Sequence, residues 1–95
     1  MSNMNSFQLE QNESYAVIDW KAEQLGSTNA EELENAIRLL FKKDYANMIL
    51  NIGKIEDLDG FGVSAIRKGT KICTNEGGLF VVVTKSDPIA ERLDA

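Results

Sequence analysis

The stretch MILNIGKIEDLDGFGVSAI, residues 48–66, decides how this chain folds. Met48 to Ile52 is a short apolar run bounded by turn residues, which reads as a buried strand of the parallel type. A loop with three carboxylates, Glu56, Asp57 and Asp59, follows, and Gly60 and Gly62 frame the start of a helix running from about Phe61 to Thr74. Val63, Ile66, Gly69 or Thr70, and Cys73 share one stripe of that helix, while Arg67, Lys68 and Lys71 fall mostly opposite. The Gly77-Gly78 pair stops it.

The neighbouring segments extend the same pattern. Leu79 to Val83 is five apolar residues rich in β-branching, a strand expected at the sheet centre. Asp87 followed by Pro88 predicts a third helix, with aspartate as N-cap and proline at the first helical position, where its missing N–H costs nothing. Upstream, Phe7 to Gln11 and Tyr15 to Trp20 read as two strands joined by the turn-prone Asn12-Glu13-Ser14. Apolar side chains on both faces of the second suit an inner strand covered on each side more than an edge. Thr28 and Glu31 have the spacing of a capping box, and Ala30, Leu33, Ile37, Leu40 and Phe41 then recur at helical spacing. The order ββαβαβα predicts an α/β sandwich: a mixed, mainly parallel sheet of about four strands, with right-handed crossovers and two to three packed helices.

Ninety-five residues with 43% hydrophobic content suffice for one core, so residues 1–95 are expected to form one domain, with 1–6 disordered. Ten basic against fifteen acidic residues give a net charge of −5, which opposes binding to nucleic acid. The chain has no histidine and one cysteine, Cys73. That removes the usual general base, the Ser-His and Cys-His nucleophile arrangements and an internal disulfide, so no enzyme is expected. The polar start, Met1 to Ser6, is unlike a signal peptide, and Leu79 to Val83 is too short to span a bilayer. A cytoplasmic protein without membrane insertion is expected.

The loop admits three readings. A phosphate cradle would need Gly-x-x-x-x-Gly-Lys-Ser/Thr or three spaced glycines, and neither is present; the carboxylates also oppose an anion, leaving only the helix dipole in its favour. A calcium loop would need regularly spaced oxygen ligands ending in a bidentate glutamate, which Glu56, Asp57 and Asp59 do not supply. A weak magnesium site and a solvated acidic turn remain for those charges. In the third reading Asp59 caps the helix by accepting from N–H groups two and three residues on. Gly60 and Gly62 then keep the first turn bare, so that another backbone or protein surface can approach. No cofactor is expected.

With these residues in view, the chain resembles the STAS domain, the family of bacterial anti-sigma factor antagonists and of the cytoplasmic tails of sulphate transporters. The resemblance lies in Ile49-Leu50-Asn51-Ile52, in Leu58-Asp59-Gly60-Phe61-Gly62 and in Gly77-Gly78-Leu79-Phe80-Val81-Val82, with Asn29-Ala30 and Leu33 fitting the family's first-helix opening. The family's helix opens with Ile-Asp-Ser-Ser-Gly, whose first serine is phosphorylated in partner-switching antagonists. Here Gly60 stands at that position and Phe61 at the next, so the phosphoacceptor is absent. Asn51 replaces a usual aspartate and Asp57 a common apolar residue. Compared with the family, the chain ends before a short strand and helix that usually follow; either the sequence is a piece of a longer one or a neighbour, such as a second copy in a homodimer, covers that edge, since an uncovered parallel strand invites association.

The resemblance implies a protein-binding module in bacterial transcription regulation, with Glu56, Asp57, Asp59, Gly60, Phe61, Gly62 and Ser64 as partner-binding residues. The implied partner is an anti-sigma factor kinase; the alternative is an accessory subunit of a lipid-transport ATPase complex or a signalling scaffold. Individual side chains carry competing expectations. Phe61 is either an exposed anchor or a core residue, and helix starts commonly turn a large side chain toward the sheet, which favours burial. Ser64 is a substitute phosphoacceptor or, preferably, a small residue packed near the sheet. Trp20 is expected to be partly buried under the first helix rather than at an interface, and Cys73 to be a small buried hydrophobe rather than a redox thiol. Arg67, Lys68 and Lys71 form a solvated helix face or a contact for an acidic partner.

Overall fold

The computed structural model describes residues 6–94. Nine elements follow one another: β1 (Phe7–Gln11), β2 (Ala16–Trp20), β3 (Gln24–Leu25), α1 (Ala30–Lys42), β4 (Met48–Asn51), β5 (Asp57–Leu58), α2 (Gly60–Asn75), β6 (Phe80–Val83) and α3 (Asp87–Asp94). The expected order is present, with β3 and β5 added as a separate parallel pair too short to leave a periodic signal. Of the residues 1–6 expected to be disordered, 1–5 lie outside the described residues. Ser6 itself is held: its amide donates to Glu32 at 3.2 Å and its carbonyl accepts from Lys21 at 2.7 Å.

The main sheet has the order β1-β2-β4-β6. β1 and β2 are antiparallel, whereas β2, β4 and β6 run parallel. β2 is an inner strand, as expected, but it is not covered on each side as its two-sided apolar content predicts: Val17 and Asp19, on the second face, are only half-buried. Leu79 to Val83 does not sit at the centre: β6 is an edge, and that expectation is corrected. An uninterrupted apolar run cannot separate a strand covered on both faces from a half-covered one whose open side carries β-branched residues. Phe80 and Val82 turn toward the core, and Val81 and Val83 are each 45% exposed.

One face of the sheet holds the core. Ala16, Ile18 and Trp20 of β2 and Met48 and Leu50 of β4 are almost fully buried with Leu33, Ile37 and Leu40 of α1 and Ala65, Ile66 and Cys73 of α2. Trp20 is fully buried, more deeply than the partial burial expected; it stacks on Phe7 with ring centroids 5.8 Å apart and donates its indole N–H to the Gln24 carbonyl at 2.9 Å. The opposite face carries the row Glu10, Val17, Ile49, Val81 across the four strands and is half-buried to exposed.

Two helix starts differ from expectation. No capping box forms from Thr28 and Glu31 among the described residues; Asn29 holds the N-cap position, and the amides of Asn29 and Ala30 donate to the Gly26 carbonyl at 3.0 and 2.7 Å. With that carbonyl serving those amides, the buried Asn29 side chain ties down the preceding turn instead. It accepts from the Gly26 amide at 2.9 Å and donates to the Gln24 carbonyl at 3.0 Å. At α3 the cap is Ser86, which accepts from the Ile89 amide through Oγ and from the Ala90 amide through its carbonyl, so Asp87 lies inside the helix.

Candidate functional site

The segment 54–64 lies between β4 and α2. β4 ends at Asn51, whose side chain accepts from the Gly53 amide at 3.0 Å and closes the turn locally, a role this amide fills as well as a carboxylate would. Ile55 and Leu58 anchor the loop in the core, while Lys54, Glu56 and Asp57 face solvent.

Asp59 then caps α2 as predicted. Its Oδ1 accepts from the amides of Phe61 at 2.9 Å and Gly62 at 3.0 Å. Its Oδ2 accepts from the Ser27 amide at 3.1 Å, a long-range bond that sequence spacing gives no hint of. Donation from Gly62 foremost, then from Ser27 and Phe61, with the Arg92 charge adding to them, holds the carboxyl below its ordinary value of 3.8 against the opposing effect of desolvation. Space for this carboxylate comes from Gly26, where a Cβ would fall onto it.

The two glycines of the helix start have different roles. Gly60 has no atom within 4 Å of where a Cβ would project, so the first turn is bare there, as predicted. At Gly62 the approaching backbone is the protein's own: a Cβ would strike the Leu25 carbonyl oxygen and lie 2.7 Å from Leu58 Cδ1. Gly62 is buried, and its absent side chain lets α2 close on β3 and β5.

Phe61 is 65% exposed, which corrects the preference for burial. The cap fixes the helix entry, and Gly62, Ala65 and Ile66 occupy the buried side, so the residue one position earlier points outward. Ser64 is exposed as well, and is not packed near the sheet. The predicted residues do not converge on one point. Glu56 and Asp57 line a groove with Ala22, Glu23 and Gln24 beside the short β3–β5 pair, whereas Gly60 and Ser64 line a second groove with Val63, Arg67, Lys68, Lys71 and Arg92. Among the described residues no three histidine, cysteine or carboxylate side chains are grouped to hold a metal ion. Cys73 is buried, and desolvation pushes its thiol up, away from the thiolate form a nucleophile needs. The contribution of Arg92 went unseen in the sequence because it lies on α3, distant along the chain.

Among the described residues no helix is long and apolar enough to cross a membrane. No family model matches the sequence, and no curated protein matches it. Solved structures do. The anti-sigma factor antagonist SpoIIAA in its unphosphorylated form is similar with a TM-score of 0.78 at 19% identity, over 93% of this chain and 81% of that one. An anti-sigma factor antagonist from Mycobacterium paratuberculosis gives 0.79 at 18% identity, over 99% and 80%. A third structure, described as a putative anti-sigma factor antagonist and coming from Thermotoga maritima, gives 0.77 at 20% identity, over 93% and 75%. The three helices and mixed four-stranded sheet of this chain are therefore those of the STAS fold seen in anti-sigma factor antagonists.

Proposed function

We propose that this protein is a single-domain, non-catalytic interaction module of the bacterial cytoplasm that binds a regulatory protein partner through residues 54–64. The observation that carries the reading is Phe61: a large aromatic, 65% exposed, on a helix start fixed by the Asp59 cap, beside the unobstructed Gly60. An aromatic so placed gains most from burial against a partner. The likeness to anti-sigma factor antagonists fits a protein-interaction role and favours a kinase-type anti-sigma factor as partner, with an outcome in transcription regulation.

Neither Gly60 nor Phe61 offers a hydroxyl, so partner switching by phosphorylation at the helix start does not operate in this reading. That chemistry also favours a second reading, a constitutive accessory subunit of a lipid-transport ATPase complex or of a signalling scaffold.

Affinity purification of the tagged chain from its native cells, followed by mass spectrometry, separates the two. A sigma regulator or kinase supports the first and a transporter ATPase the second. In either case Phe61→Ala should weaken the recovered complex by about 30-fold, the equivalent of about 2 kcal/mol. After incubation with ATP, peptides covering residues 59–62 should remain unmodified. Undiminished partner affinity in Phe61→Ala removes the assignment of the site.

A further inference from the structure

We propose that the exposed face of α2, together with Arg92 of α3, is a docking stripe for an acidic segment of a protein partner. The inference rests on the reading of residues 54–64 as a contact surface, extends that surface along the helix, and names the partner's chemistry. Gly60, Ser64, Arg67 and Lys71 recur at spacings of three and four, and with Val63, Lys68 and Arg92 they line one open groove. From Gly60 to Lys71 the helix rises about 16 Å, which matches about five extended residues of a bound chain.

Four cations on this groove invert the sign of the molecule as a whole, whose net charge is −5. The overall field would draw in a basic partner, so an acidic one is recognised here by the local charge. Carboxylates on neighbouring elements draw on two of the four, Glu34 on Lys68 and Asp59 on Arg92. Glu34 of α1 lies 3.3 Å from Lys68 and 3.7 Å from Arg38, and so divides its charge between them. Asp59, next to Gly60, has its oxygens committed to the amides of Ser27, Phe61 and Gly62. Among the described residues Lys71 has no carboxylate at ion-pair distance.

The geometry selects an extended polyacid over a small anion. The Phe61 and Gly62 amides that could grip a phosphate already donate to Asp59, and the cations are strung along the helix on solvated stems. Phe61, Ser64 and Lys68 also share a face, which places an apolar anchor at the head of the charged stripe. The complementary segment carries an apolar residue followed by several carboxylates.

The test is a titration of the 15N-labelled full chain with a capped peptide of sequence Leu-Glu-Glu-Asp-Leu-Glu-Asp-Glu and with its Gln/Asn counterpart. Amide shifts should map to residues 60–71 and 92, the neutral peptide should bind at least tenfold more weakly, and raising the salt from about 50 to about 300 mM should weaken binding several-fold. Lys71→Glu and Arg92→Glu should each reduce affinity at least tenfold with unchanged circular dichroism. No shifts at millimolar peptide, or binding that both reversals leave intact, overturns the stripe. Shifts confined to residues 54–62 and indifferent to Lys71→Glu overturn the stripe while the loop reading stands. Retention of the stripe shifts in Phe61→Ala with full affinity upholds the cationic stripe and removes the apolar anchor at its head.

Discussion

Asp59 joins three amides from two separate segments, and its charge state is therefore linked to folding. Because its carboxyl titrates below the ordinary value in the folded protein, its contribution is complete above the unfolded-state pKa of about 4 and disappears as pH falls through the lower folded value. Asp59→Asn keeps a capping oxygen but sets an amide group against the Ser27 N–H. Urea midpoints at pH 7 should be lower in this variant than in the parent, and the gap should close below pH 4. A gap that is constant with pH would remove the linkage. The neighbouring glycines give an opposed pair. Gly62→Ala meets the Leu25 carbonyl and should cost about 1–3 kcal/mol, visible as a Tm loss of roughly 5 °C or more. Gly60→Ala meets nothing and should be neutral or slightly stabilising by helix propensity. Equal Tm values for the two variants would contradict the close approach of α2 to β3.

At the scale of elements, the sheet is covered on one side. Leu50 of β4 is fully buried, while Val81 of β6 is 45% exposed although both lie in apolar runs. Leu50→Ala should cost about 2–5 kcal/mol and Val81→Thr no more than about 0.5, measured by urea unfolding. Similar losses would place both faces in a core. The same asymmetry explains what could be read from the chain. Helix α1 and strand β4 were legible because their periodicity reports burial directly, and Asp59 because a cap acts within three residues. The edge position of β6, the Asn29 turn that displaces the Thr28–Glu31 box, and the two-residue strands β3 and β5 depend on which segment lies alongside, and local pattern carries no record of that. Phe61 was misjudged for the same reason: its direction follows from how Gly62 is buried against Leu25, a contact between segments 37 positions apart.

For the molecule as a whole, charge and surface are unevenly shared. A net −5 is spread over the chain, yet the cationic groove on α2 and α3 adjoins the exposed aromatic, so this surface is electrically unlike the rest. Anti-sigma factor antagonist structures at 18–20% identity share the same framework. The bond from the Ser27 amide to Asp59 has a wider effect. It latches the entrances of α1 and α2 to a single carboxylate. A load placed on the start of one helix is therefore shared by the turn before the other.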